Sequence, residues 1–336
     1  MLLATVLLSL AACDGLTGGN DENDEAAVSF EAMDTYMTIT VYGNEAGEAA
    51  AAGQEETERL DSVLSAEEEG SEVYELNLSG SGEVSEDIAY LIEASIALWQ
   101  ETDGAFDITI YPITQLWGFT GGEYAVPSDE ELSQALQLVG TDKLIWDPET
   151  SLLTMEDGMS VGFGAIAKGY CGDCLSNIFD EYDITGAIAS LGGNIVTYGS
   201  KPDGSAWNIA IQDPEDSSEY IVTLSIEGST NIVTSGGYER YFEEDGETYH
   251  HIINPETGYP ADEGLLSVSI ISADGTTADG LSTALFVMGT DEAIEFWRNS
   301  EYEFEMVLVD EDRNVYITEG LKDSYSCSES VTVIEK

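Results

Sequence analysis

Positive charge is what this sequence has least of: 9 Lys and Arg stand against 67 Asp and Glu, a formal net charge of −58. Self-repulsion and poor affinity for polyanions follow, so nucleic acid and anionic membrane surfaces are excluded as direct ligands. Histidine is scarcer still, with 2 residues, side by side at His250 and His251. Cysteine numbers 4. Cys171 and Cys174 have redox or metal spacing, but there is no second C-x-x-C, and zinc would have to borrow the distant histidines. Small, partly buried helix residues are the better reading of that pair. The apolar run Met1–Ala12 is too short to span a bilayer, and no solenoid-type repeat is visible.

What remains is globular in character. With 336 residues, 43% hydrophobic content, 5 Trp and 17 Tyr, the chain can bury a large core in one domain or two intimately joined ones. Met1–Ala12 followed by Cys13 reads as a signal-peptide core, and Leu10-Ala11-Ala12-Cys13 resembles the bacterial lipobox, which implies cleavage before Cys13 and lipid on its thiol. Residues 13–26, rich in Gly, Asn, Asp and Glu, read as a flexible tether. The folded domain is expected over 27–336.

Within it, the stretch Thr277–Gly289 is expected to be helical. Asp279 and Thr283 then lie four residues apart on one face, with Leu281, Ala284, Leu285 and Met288 as a buried stripe. Spacing alone leaves two readings open. Thr277 or Asp279 could cap the helix, or Asp279 and Thr283 could offer oxygens to a hard cation such as magnesium.

Val161–Tyr170 is a glycine-rich lead into a helix running to about Phe179, whose first amides could accept phosphate. Lys168 in that stretch is either a solvated helix lysine or a cation for such a ligand. Thr102–Thr109 and Leu116–Phe119 combine turn chemistry with aromatics, either as core or as a wall for a flat ring. From Ala187 onward short strands dominate, punctuated by Gly192-Gly193-Asn194 and Thr234-Ser235-Gly236-Gly237 and paired antiparallel through short connections.

Seven separated motifs, taken in order, resemble the ApbE-type FAD:protein FMN transferases over about Met33 to Gly320. They are Met33-Asp34-Thr35 with Met37 and Tyr42-Gly43, Thr102–Asp107, Gly164–Tyr170, Leu191–Asn194, Thr234–Gly236, His251–Gly258, and Ala278-Asp279 through Thr283-Ala284. The resemblance implies an α+β fold of helices packed on mainly antiparallel sheets. It implies magnesium-dependent cleavage of FAD, transfer of FMN to a Thr or Ser hydroxyl of an acceptor flavoprotein, and release of AMP. By the same resemblance Ala165 (through its carbonyl), Asp279 and Thr283 hold the metal. Met33, Ala105, Phe106, Asp107, Lys168, Thr234, Ser235 and Gly236 line the FAD site, and His251 does acid/base work at the reacting phosphate.

The acceptor implied is an exported flavoprotein such as a respiratory-complex subunit, with the enzyme lipid-anchored on the extracytoplasmic face of a bacterial membrane. No acidic residue is followed at the right spacing by Ser/Thr-Gly-Ala-Ser/Thr, so the chain is not its own acceptor. An FAD pyrophosphatase and a non-catalytic FAD-binding lipoprotein are the alternatives. Three positions depart from the family pattern: Asp34 where Gly is usual, Gly162 where Asp is common, and Glu67 where an aromatic is frequent.

Overall fold

The computed structural model describes residues 24–336. Cys13 and the proposed signal and lipidation segment lie outside the described residues. The chain begins with a hairpin of β1 (Glu25–Ala32) and β2 (Thr35–Gly43), whose strands pair antiparallel from Glu25↔Tyr42 to Ala32↔Thr35. The tether therefore ends earlier than expected, because Glu25 and Ala26 already pair with Tyr42 and Val41. Their polar, small side chains hid a strand whose backbone bonds do not depend on them. Met33 and Asp34 form the two-residue turn, both at positive φ (47° and 59°), which is the geometry a tight hairpin demands and which favours glycine.

A largely helical segment follows. It comprises α1 (Ala46–Leu64), α2 (Glu72–Ser79), β3 (Ser81–Glu83), α3 (Glu86–Glu101), α4 (Tyr111–Leu116), α5 (Asp129–Ala135), β4 (Ile145–Asp147), β5 (Leu152–Thr154) and α6 (Ala167–Phe179). Helix α1 buries Ala46, Ala49, Ala50, Gly53, Thr57, Leu60 and Leu64, a stripe of mostly small residues at helical spacing that lets it lie close on the β1–β2 hairpin and α6. Ser128 and Glu131 form a full capping box at the start of α5.

The chain then turns to strands: β6 (Ile184–Leu191), β7 (Asn194–Gly199), β8 (Trp207–Gln212), β9 (Tyr220–Ile226), β10 (Thr230–Gly236), β11 (Tyr241–Glu244), β12 (Glu247–His250) and β13 (Leu265–Ser272). Helices α7 (Gly275–Met288) and α8 (Thr290–Asn299) precede β14 (Glu305–Asp310), β15 (Val315–Thr318), β16 (Tyr325–Cys327) and β17 (Val331–Ile334). Nine strands make the main sheet in the order β1-β2-β6-β7-β10-β13-β14-β15-β17, antiparallel except for the last pair. The expected α+β architecture is the observed one. The main core lies between this sheet and helices α1, α3, α6 and α7, while a second core fills the space between the sheet's other face and the β16-β9-β8 sheet.

Helix α7 is the centre of the helical layer, packed on β10, β13, α6, α3 and α8. Its cap is neither Thr277 nor Asp279. Asp274 fills that role, accepting from the Thr277 amide at 2.8 Å, and a second carboxylate, Asp173 on α6, accepts from the amides of Gly275 and Thr276 at 2.7 and 2.8 Å. Two acceptors ahead of the helix thus satisfy its first amides and release Asp279 from that task. The Cys171–Cys174 motif finds its explanation here too. Between the cysteines, Gly172 fits against Asn231 and Val196 and Asp173 caps α7. The thiols of Cys171 and Cys174 are each pushed up to about 12 by burial, first of all. Inert, protonated cysteines of this kind are packing residues.

Candidate active site

Where α6 begins, its axis meets the side of α7 at very short range. A Cβ on Gly169 would stand 2.0 Å from the carbonyl oxygen of Gly275, and one on Gly275 would stand 2.6 Å from the carbonyl oxygen of Gly169. Only glycine at both positions permits this approach. Its result is that Asp279, 4% exposed on α7, reaches the N-terminus of α6 and accepts the Gly169 amide on Oδ2 at 2.7 Å. The amides that sequence reasoning reserved for phosphate are therefore engaged within the protein, Gly169 by Asp279 and Ala167 by the carbonyl of Phe163. A carboxylate is the anion at this helix end. Burial raises the pKa of Asp279, opposed by Lys168, the Gly169 amide and the side chain of Asn194.

A cavity opens beside this junction. Its wall includes Ala165 and Lys168 from the start of α6, Asn194 from β7, Thr234 and Ser235 from β10, Asp279 and Thr283 from α7, and Ala105, Phe106 and Asp107 from the loop after α3. Glu239, Arg240 and His251 complete its charged and titratable side. Most residues singled out from the sequence thus converge, although they come from segments spread over the whole domain. Met33 does not join them: the hairpin turn carries it to a separate hollow with Asp34, Asp61 and Glu68. Gly236 is buried just beyond the wall, where an added Cβ would strike the Tyr238 ring at 2.4 Å. Asp107 lines the cavity, but its carboxylate is spent internally, accepting from the Thr109 amide and hydroxyl and from the Thr141 amide and hydroxyl. It pins the loop that carries Ala105 and Phe106.

Asp279 offers one remaining carboxylate oxygen, and Thr283 one turn along the same helix offers a hydroxyl. With the carbonyl of Ala165 these form a set of three different oxygen donors. Among the described residues no cluster of three or more His, Cys, Asp or Glu could hold a metal. One carboxylate and two neutral oxygens is nonetheless the partial shell a magnesium ion takes when waters and substrate phosphates supply the rest. The donor set fits that ion and would not suit zinc.

His251 follows β12 and rests its Nδ1 3.2 Å from the carbonyl oxygen of Arg240. A carbonyl only accepts, so Nδ1 carries the proton and Nε2 keeps its lone pair. Burial, with Arg240, His250 and Lys168 adding positive charge, lowers its pKa from 6.5 to about 3. The imidazole is a neutral base. Glu239 has its pKa raised by burial, with Asp279 adding to the rise and Lys168 opposing it.

Aromatic packing holds this loop in place. The Trp117 indole donates to the carbonyl of Gly258 at 2.8 Å and its ring lies 5.2 Å from Tyr249 and 5.7 Å from Tyr259. Arg240 donates to the carbonyl of Phe119. Trp117 is thus core, while Phe106 and Phe119 face the cavity.

Two departures from the family pattern have visible neighbours. A Cβ on Gly162 would meet the Tyr111 ring at 2.8 Å, so the ring occupies the space an Asp side chain would need. Glu67 is exposed outside the cavity wall, near Gly121 and within the field of Arg240. Sequence reasoning gave no role to Asn194 or Glu239. The first sits in a glycine-marked turn and the second follows one, which was the available signal.

An α+β protein whose cavity joins a buried carboxylate, two cations and a neutral imidazole has the makings of an enzyme for anionic substrates. A family model described as the ApbE family matches residues 33–308. A relative from Klebsiella pneumoniae (strain 342) named FAD:protein FMN transferase is 33% identical over 267 residues, 77% of this chain and 81% of its own length. One of the same name from Haemophilus influenzae is 31% identical over 314 residues, 88% of each chain. Among solved structures, the ApbE protein of Thermotoga maritima gives a TM-score of 0.82 at 35% identity, over 89% of this chain and 98% of that one. The flavin transferase ApbE from Vibrio cholerae gives 0.79 at 26% identity, over 90% and 99%. The chain belongs to the ApbE family.

Proposed function

We propose that this protein is an FAD:protein FMN transferase, which moves FMN from FAD to a Thr or Ser hydroxyl of an acceptor flavoprotein and releases AMP. The observation that supports it most is the convergence of Asp279, Thr283, Lys168 and His251 on one cavity, in a chain matched by relatives of that name. Asp279, Thr283 and the Ala165 carbonyl would hold magnesium, which when bound would neutralise phosphate charge and polarise the phosphorus. Lys168 and Arg240 add the positive charge that a −58 chain otherwise lacks for a pyrophosphate. His251, through Nε2, takes the proton of the acceptor hydroxyl as its oxygen forms the new bond to the FMN phosphorus and the bond to AMP breaks. The hydrogen bond to the Arg240 carbonyl holds the ring in the tautomer this requires.

The protein is further proposed to be anchored by lipid at Cys13 on the extracytoplasmic face of a bacterial membrane. There it would modify exported flavoproteins such as respiratory-complex subunits. No helix among the described residues is long and apolar enough to cross a membrane.

The test is incubation with FAD, Mg2+ and an acceptor bearing an acidic residue upstream of Ser/Thr-Gly-Ala-Ser/Thr, followed by mass measurement of the acceptor and assay of AMP. The transferase reading expects FMN on the acceptor in step with AMP. AMP with free FMN and an unmodified acceptor would establish a hydrolase instead. Asp279→Asn should lower both products more than about a hundred-fold, beyond the 10–100-fold typical of residues that only support a metal ligand. Its melting temperature should hardly change, since the Asn carbonyl still accepts from Gly169. Near-normal turnover in this variant would refute the metal role.

A further inference from the structure

One polar atom at the cavity is unexplained by the roles above. Asn194 is 2% exposed, and its Nδ2 is buried without a hydrogen-bond partner. Such orphan donors are rare and call for a physical account. The residue is held firmly: the Gly192-Gly193 turn precedes it, with Gly192 at φ 79°, and its backbone pairs with Leu191 on β6 and Val233 on β10. Gly193 is needed for this placement, because a Cβ there would lie 2.9 Å from the Thr234 carbonyl oxygen and 2.8 Å from Glu239 Oε1. Asn194 is therefore fixed by strands on both sides.

Its side chain shares the cavity wall with Asp279, Thr283 and Ala165. Asn194 and Asp279 fall short of a hydrogen bond, however, for Nδ2 remains unpartnered. Nδ2 has almost no surface of its own to offer a ligand in the cavity.

We infer that Asn194 is a positioning residue for Asp279: when a cation binds, its now unpaired amide donates to the carboxylate and turns the oxygen not held by Gly169 toward Ala165 and Thr283. This rests on the metal reading of Asp279 above. Gly169 from α6 and Asn194 from β7 then grip the carboxylate from two elements, leaving one direction for a cation. Groups that orient a metal ligand in this way commonly change metal affinity by about 10–100-fold when removed.

The experiment measures Mn2+ and Mg2+ binding to the full domain without FAD, by calorimetry and by the electron paramagnetic resonance spectrum of bound Mn2+. Asn194→Ala should weaken divalent binding about ten-fold or more, alter the Mn2+ spectrum and shrink the metal-induced rise in melting temperature. The melting temperature of the metal-free protein should not fall, since the substitution removes an unpaired donor. Asn194→Ser, whose shorter hydroxyl cannot reach as far, should show the same loss if the alanine variant folds poorly. In an Asp279→Asn background, Asn194→Ala should cost no further affinity. Unchanged affinity and spectrum in both single variants, with wild type binding the ions, would overturn this inference alone. Wild-type protein that takes up neither ion would overturn it together with the metal reading.

Discussion

His251 shows how far a single residue's surroundings decide its chemistry. Its folded pKa of about 3 lies below the ordinary 6.5, so between these values the unfolded chain binds a proton that the folded one refuses. Its contribution to stability is therefore fully present above about pH 6.5 and is lost as pH falls from there toward about 3. The raised carboxyls of Asp279 and Glu239 act in the opposite sense, since the folded state protonates them more readily. The separate signature of His251 is spectroscopic. A nuclear magnetic resonance titration of the substrate-free protein should find its Nε2 unprotonated throughout the pH range in which an ordinary histidine titrates. A midpoint near 6.5 would remove the argument for a standing neutral base.

From the sequence, the rarity of histidine drew attention to this residue. Its tautomer was not legible, because it depends on a carbonyl eleven residues away in the chain. Asn194 was legible only as the end of the Leu191–Asn194 motif, without a role, because its place on one cavity wall with Asp279 is not announced by its neighbours in sequence.

At the scale of elements, the contact between α6 and α7 does most to build the site. Gly169→Ala would force a methyl group to within 2.0 Å of the Gly275 carbonyl oxygen and 2.6 Å of the Asp279 Cβ. Both are backbone or short rigid atoms, so the helices must separate. The expected loss is at least about 2 kcal/mol, in the range of overpacked cores, and it should come with weakened divalent binding because Asp279 moves away from α6. Urea unfolding with a parallel metal titration reads both effects. A stable Gly169→Ala variant with unchanged midpoint would show that the helices can part freely.

The two helices themselves were readable from periodicity, as were most strands, because each has an apolar face of the right repeat. Their caps were not. Asp274 lies ahead of the expected start at Thr277, and Asp173 leaves no local pattern because it caps from another helix. The short strand β3, Ser-Gly-Glu, has no alternation to detect and exists only through its pairing with β5. The parallel pairing of β17 with β15 likewise depends on a return of the chain that no local signal announces.

For the whole molecule, charge is the dominant property. Among the described residues the side-chain ion pairs are those of Arg59 and Arg313, far too few to balance a net −58. Added salt weakens those pairs but screens the much larger self-repulsion, since the screening length falls from about 10 Å at 0.1 M to about 3 Å at 1 M. The melting temperature should accordingly rise with sodium chloride over this range, and calorimetric scans would show it. A flat or falling trend would mean that repulsion is already relieved by the way the acids are spread.

The sheet order has a consequence of another kind, in time. Strand β2 pairs with β6 through contacts such as Met37↔Leu191 and Gly43↔Ile184, which bridge 153 and 140 intervening residues. Closing so long a loop carries an entropic cost that grows only slowly with its length. Connections between residues so distant in sequence nevertheless make folding slow. Helices α1 to α6 are synthesised before β6 exists to complete the sheet beneath them. Asn194, one strand later, and Asp279, further still, are made later again, though both line one cavity. The cavity draws its wall from Ala105 to Thr283, so a chain whose synthesis stops before α7 should have no capacity to bind its substrate.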